Sequence, residues 1–254
     1  MFVFGGRVPS CSLASLPPPS ALKIIGFDTA TDDTVVGATV DGELVAESVL
    51  PSDAEGRPVH SNSLLEAVAT AAEAAGGWAE IDRIAVGTGP GTFTGIRIGL
   101  ATASGTALST GIGLAGVSTL AALALPMLGE QHSTLAVLDA RRGEVFAALH
   151  GPGGDLVRDP FVCHPDELIA WIAGIDGLIR AGGSGAIRFR EELDWAGVSI
   201  AGPEAGEHHL TAKSICDLGA IAGIADKSNP LEPTYLRVPD AQLWLERDGR
   251  KASP

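Results

Sequence analysis

The run Gly89-Pro90-Gly91-Thr92-Phe93-Thr94-Gly95 constrains this chain more than any other feature. It follows the short apolar segment Arg83–Gly87 and precedes a helix-compatible stretch from Ile96 to about Ser109. Small residues let a backbone turn tightly between a strand and a helix. The N–H groups at the start of such a helix form a nest that attracts anions. A phosphate loop, however, places Lys directly after its last glycine, and here Gly95 is followed by Ile96-Arg97. Arg97 is the only nearby cation. On the residues alone, a rigid strand-to-helix connection is preferred over a ligand loop.

The preceding chain reads as β structure. Leu22–Phe27 is an apolar run ending at Asp28, and Thr34–Val40 is a second β-branched run. Asp41-Gly42 signals a hairpin returning along Glu43–Leu50. A helix follows, with Ser63-Leu64-Leu65-Glu66 at capping-box spacing and Gly76-Gly77 as its stop. Leu64, Leu65, Val68, Ala69 and Ala72 share one face of it, and Ala71 lies in the same helix. In the helix after the glycine loop, Gly99, Ala103 and Ala107 fall at i, i+4 and i+8, a smooth face open to a close helix neighbour. The pattern then echoes itself without sequence repetition. Ser118–Leu128 reads as a helix, Leu135–Asp139 as a strand, Arg141-Arg142-Gly143 as a turn and Glu144–His150 as the return. Asp166–Ala173 and Ala212–Ala225 read as helices. Leu178–Ala181 is a strand entering Gly182-Gly183-Ser184-Gly185, which either lines a cleft or turns a corner. The expected division is a tail without regular structure at 1–21, one lobe over 22–116, a second over 117–225, and an extension over 226–254.

Charge bounds the function. Lys and Arg total 17 against 31 Asp and Glu, a formal net charge of −14, and no lysine lies between Lys23 and Lys213. RNA binding draws much of its affinity from phosphate neutralisation, so this chain is a poor candidate for gripping RNA alone. Cys11, Cys163 and Cys216 are far apart and odd in number, which suggests neither a disulfide framework nor a metal site and fits a reducing cytosol. No apolar run approaches the ~20 residues of a membrane span. Met1–Phe4 is too short an apolar run for a signal peptide, and Pro17-Pro18-Pro19 blocks regular structure.

Few residues point to catalysis. Asp28-Thr29, at a strand end, has the residue types to hold Mg²⁺ and touch phosphate, but it equally suits a capped turn. His60 has Leu64 at the position where a zinc helix needs a second histidine. His208-His209 reads as an exposed polar pair. No Ser–His–Asp or Cys–His set can be assembled with any specificity.

Taken together, the segments resemble one family. Gly89-Pro90-Gly91-Thr92-Phe93-Thr94-Gly95-Ile96-Arg97-Ile98-Gly99 is similar to its hallmark GPGSFTGLRIG, and Ile25-Gly26-Phe27-Asp28-Thr29-Ala30-Thr31 to its opening strand. His60-Ser61-Asn62-Ser63-Leu64-Leu65, Gly116-Val117-Ser118-Thr119-Leu120-Ala121, Leu138-Asp139-Ala140-Arg141 and Pro233-Thr234-Tyr235-Leu236-Arg237 follow in the family's order. The family is TsaB, also called YeaZ. The resemblance implies an α/β fold of the actin/Hsp70-like (ASKHA) class, with two lobes each built on a mixed sheet flanked by helices. It further implies a non-catalytic, cytoplasmic scaffold for the paralogue TsaD, with TsaE joining as an ATPase, in threonylcarbamoyl transfer to the adenine beside the tRNA anticodon. Contact with tRNA would come only through that complex.

On that resemblance the partner surface, for TsaD or for a second copy when alone, comprises the first-lobe helices, with Leu64, Val68, Ala71, Arg97, Gly99, Ala103 and Ala107 as its residues. No catalytic or metal-binding residue and no intrinsic cofactor is implied. A residual ATP or ADP site in the cleft or at the partner boundary would use Asp28, Thr29, Gly89, Gly91, Asp139 and Gly183. The rival readings are an ATP-dependent small-molecule kinase of the same fold and, against the missing second histidine, a metallopeptidase.

Overall fold

The computed structural model describes residues 21–51, 61–226 and 230–237. Residues 1–20, His60 and the acidic segment Asp53–Pro58 lie outside the described residues, as does most of the 226–254 extension.

Two five-stranded sheets carry the fold. The first contains β1 (Lys23–Asp28), β2 (Thr34–Val40), β3 (Glu43–Leu50), β4 (Arg83–Gly87) and β5 (Gly113–Val117), in the order β3-β2-β1-β4-β5. The second contains β6 (Ser133–Asp139), β7 (Val145–His150), β8 (Leu156–Cys163), β9 (Ile179–Gly182) and β10 (Ser199–Ile200), in the order β10-β9-β6-β7-β8. Each sheet opens with an antiparallel meander and then adds two parallel strands beside the first. The echo seen in the strand pattern is therefore a repeated topology.

Alternation along the strands sets the layers. Ile25, Phe27, Ile84 and Val86 face a cluster shared with α1 (Ser61–Ala74) and α2 (Phe93–Thr110). Ile24 and Ala85 face the opposite way, into a cluster holding α3 (Thr119–Ala124) and α7 (Ala212–Ile221). On the second sheet, Ala136, Leu138, Phe146 and Ala148 join that same inner layer. Leu135, Val137, Val145, Ala147 and Leu149 face outward to α4 (Pro165–Ile172), α5 (Ser184–Arg188) and α6 (Arg190–Trp195). So α3 and α7 form the layer between the sheets. Helix α7 follows the second sheet in sequence yet packs on β1, β2 and β4 of the first. A side chain at Gly26 would meet Cys216 Sγ at 2.6 Å, so the bare backbone there lets α7 settle close to β1. Ile215 is fully buried in this contact, worth roughly 2 kcal/mol in transfer free energy.

Some boundaries differ from the sequence reading. Helix α1 starts at Ser61, so Ser63 sits inside its first turn rather than capping it. Helix α2 starts within the glycine-rich run, because the Thr92 hydroxyl accepts from Gly95 N at 3.2 Å and caps it there. Helix α7 stops at Ile221, and Ile224 then bridges to Ala115 on β5. Strands β5, β8 and β10 and helices α5 and α6 are additional. Among the described residues, no helix is long and apolar enough to cross a membrane.

Candidate functional site: the interlobe cleft and the outer face of α2

Asp28 ends β1, just before the Ala30–Asp32 turn that lines the cleft between the lobes, and it is fully buried. Its Oδ1 accepts from the Ala30 amide at 2.6 Å, and its Oδ2 accepts from the Thr119 hydroxyl at 2.7 Å. Burial pushes its carboxyl above the usual range, and the two hydrogen bonds only partly oppose this. Thr29 donates its hydroxyl to Gly95 O at 2.7 Å, and Thr92 N donates to Ala30 O at 2.7 Å. Side chains at Gly91 and Gly95 would overlap the carbonyls of Ala30 and Thr29. The glycine loop is therefore bare because the β1–β2 turn lies directly against it. The Thr92 and Gly95 amides within it are engaged by protein groups.

The second lobe closes the other wall. Asp139 ends β6, its amide accepted by Ser184 Oγ at 3.1 Å, and its Oδ2 is held by Arg188 at 2.5 Å. Arg141, in the left-handed turn after β6, reaches across to Asp32 in the β1–β2 turn at 2.5 Å. A small residual cleft, open to solvent, is lined by residues from both lobes, among them Thr31, Thr92, Asp139 and Ser184. Gly183, at the head of α5, has φ +107°, and a side chain there would overlap Val137 O. Its amide donates to Nδ1 of His208 at 3.2 Å, while the His208 Nε2 lies 3.2 Å from Ala201 O. A single neutral tautomer with the proton on Nε2 satisfies both contacts. This corrects the reading of His208-His209 as an exposed pair: only His209 is exposed, because His208 holds Gly183 in place.

The groups proposed for nucleotide thus fall into two sets. Gly91 and Asp139 line the cleft from opposite lobes, while Asp28, Thr29 and Gly89 are buried on the first-lobe side and Gly183 on the second. The residues do not fit a bound nucleotide. Asp28 has no exposed oxygen, Asp139 is neutralised by arginine, and the Thr92 and Gly95 amides already donate to Ala30 O and to the Thr92 hydroxyl. Among the described residues, no three His, Cys, Asp or Glu side chains converge as a metal set. Cys163 and Cys216 are free and buried, and burial foremost pushes the Cys216 thiol up to about 12.

The expected partner residues need a larger correction. Leu64, Val68, Ala71, Gly99 and Ala103 are buried in the first lobe's own core, and Ala107 packs at its margin. The small Gly99/Ala103 face brings α2 down onto its sheet, with Gly99 against Thr29 and Val86. It cannot also meet another chain. The outward face of α2 is instead Thr94, Arg97, Ala101, Ser104, Gly105 and Leu108, the last 89 % exposed. Of the expected set, Arg97 alone lies on it. Its guanidinium stacks 3.7 Å from the Phe93 ring centre, and Nε donates to the Tyr235 hydroxyl at 3.1 Å. The periodicity contained both faces, and only the requirement that α2 cover a sheet distinguishes them.

Residues 46–201 match the family model described as TsaD: tRNA N6-adenosine threonylcarbamoyltransferase. Over 156 residues the chain is 33 % identical to the tRNA threonylcarbamoyladenosine biosynthesis protein TsaB of Escherichia coli, covering 56 % of this chain and 65 % of that one. The chain belongs to the TsaB/YeaZ family. It is also 31 % identical over 241 residues to an uncharacterized protein of Mycobacterium tuberculosis, across 86 % of this chain and 93 % of the relative. YeaZ from Pseudomonas aeruginosa superposes with a TM-score of 0.66 at 24 % identity, over 85 % of this chain and 100 % of that one. The architecture is the ASKHA type, two lobes of mixed sheet with flanking helices.

Proposed function

We propose that this chain is a non-catalytic subunit of the tRNA threonylcarbamoyladenosine machinery. It docks a TsaD-type paralogue through the outward face of α2 and the neighbouring exposed residues of α1. The observation that carries the reading is Asp28. The carboxylate that would serve Mg²⁺ and phosphate in an ATP-using member of this fold is buried and bound by Thr119 and the Ala30 amide. The family supplies the pathway. The exposed run Arg97, Ala101, Ser104, Gly105 and Leu108 supports the docking mode, since small residues let a partner helix approach and Leu108 offers exposed apolar area. A TsaE-type ATPase and tRNA enter only with the assembled complex, consistent with a net charge of −14. The cytoplasm is the compartment this role requires.

Reconstitution tests it. Purified TsaD, TsaE, tRNA, ATP and threonylcarbamoyl-adenylate are combined with and without this chain, and the modified nucleoside is measured. Modification should require the chain, while the chain alone turns over neither ATP nor the adenylate. Equal modification without it overturns the role. ATP turnover by the isolated chain on a small-molecule acceptor would move it to the kinase class.

A further inference from the structure

We propose that residues 230–237 form a latch that holds the two lobes closed, anchored at one end by Tyr235 on α2 and at the other by Arg237 on the β6–β7 hairpin. The segment starts in the first lobe, where Leu231 packs in the cluster beneath α1 and α2. Thr234 N then donates to Thr88 O at 2.8 Å, fixing it over the end of β4. Tyr235 is the first anchor. Its ring centre lies 5.1 Å from that of Phe93, tilted by 35°, and its hydroxyl accepts from Arg97. Leu236 turns into the layer between the sheets. Arg237 is the second anchor. It donates to Ala140 O at 2.8 Å and pairs with Glu144.

Ala140 and Glu144 bracket the tip of the β6–β7 hairpin, their backbones joined by Ala140 N to Glu144 O at 2.9 Å. The tip is therefore gripped from the first lobe in two ways, by Asp32 on Arg141 and by the strap on Glu144. The grips are unequal. Arg141 and Asp32 are 51 % and 47 % exposed, whereas Arg237 and Glu144 are 24 % and 25 % exposed. Exposed pairs are screened and contribute little, while less exposed pairs with an added hydrogen bond persist. The strap is thus the dominant grip. It also links α2, whose outer face is the proposed docking surface, to the opposite wall of the cleft, and does so whether or not that surface is used.

Amide hydrogen exchange on the full chain tests the latch without any partner. Tyr235→Ala removes a side chain whose ring and hydrogen-bond partners, Phe93 and Arg97, lie in the first lobe. It should nevertheless raise exchange in the second-lobe hairpin Asp139–Val145 by about fivefold or more. Arg237→Ala should do the same, and Asp32→Asn should do so to a smaller extent. A rise confined to the strap and the start of α2, with the hairpin at wild-type rates, overturns the latch. So does an Asp32→Asn effect as large as that of Arg237→Ala. If Tyr235→Ala does not fold, Tyr235→Phe and Arg237→Gln, which keep the bulk and remove only the hydroxyl or the charge, are read by the same criterion.

Discussion

Thr119, the first residue of α3, donates its hydroxyl to Oδ2 of Asp28 at the end of β1, joining the helix that enters the second lobe to the strand that opens the first. Burial raises the carboxyl above its usual range, so folding disfavours its charged form relative to the unfolded chain. A raised folded pKa contributes stability below the unfolded value of 3.8, and that contribution is lost as pH rises through the folded pKa. Asp28→Asn keeps an acceptor for Ala30 N and presents Nδ2 to Thr119, whose hydroxyl turns from donor to acceptor. It should be at least as stable as wild type at pH 7, with the difference shrinking as pH falls through the raised folded pKa and levelling off below about 4. Asp28→Ala strands both partners and should lose about 2–3 kcal/mol. Urea midpoints at pH 4 and pH 7 measure both; a strongly destabilised Asp28→Asn would mean the charge itself is needed.

Most strands were legible because each carried a local signal. β2 and β3 match their expected spans through β-branched composition and the Asp41-Gly42 turn. β8 was not legible because Asp159-Pro160 interrupts it, a pattern tolerated only where a strand forms a sheet edge. β5, Gly113-Leu-Ala-Gly-Val, has little strand preference and exists through its pairing with β4. The site was half legible. Asp28 and the glycine loop stood out by type and spacing. Their mutual contact, the Thr119 hydrogen bond and the Arg141–Asp32 crossing are all long-range, and no local pattern encodes them.

Arg83 depends on such a distant contact. Its Nη1 donates to the carbonyls of Gly219, Ala220 and Ala222 at 2.5, 2.8 and 3.0 Å, satisfying the end of α7. A cation there also complements the helix dipole. Arg83→Met keeps the aliphatic stem but leaves those carbonyls without their donor. It should cost about 2 kcal/mol, with the loss of exchange protection greatest at Gly219–Ala222. A wild-type urea midpoint for Arg83→Met would show that water caps α7 equally well.

The two faces of α2 should respond in opposite ways. Ala103 is fully buried, so Ala103→Trp overpacks the first-lobe core and should cost at least about 3 kcal/mol, or prevent folding. Gly105 has nothing within 4 Å of a built Cβ, so Gly105→Ala should stabilise the helix by about 0.5–1 kcal/mol. Gly105→Arg should leave the melting temperature near wild type while weakening TsaD pairing at least about tenfold, one well-packed contact's worth. Calorimetric titration with TsaD reads the pairing. Unchanged affinity in folded Gly105→Arg would remove this face from the interface.

His150 ends β7 with 3 % of its surface exposed, and neither ring nitrogen makes a hydrogen bond of normal geometry among the described residues. Burial pushes its imidazole below the usual range, offset in part by the Gly154 backbone. The sign follows directly. Above the unfolded value of 6.5 both states are neutral and His150 adds no pH dependence. As pH falls below it, the unfolded chain takes up the proton first, and folded stability drops by at most about 1.4 kcal/mol per pH unit until the folded pKa is reached. His150→Leu has similar bulk and no polar atoms to leave unsatisfied. It should raise stability at pH 7 by about 1 kcal/mol and remove this part of the acid slope. Urea midpoints between pH 5 and pH 8 should therefore separate the two proteins most at the acid end. Parallel curves would mean that His150 is solvated or paired well enough in the folded state to protonate as it does in the unfolded chain.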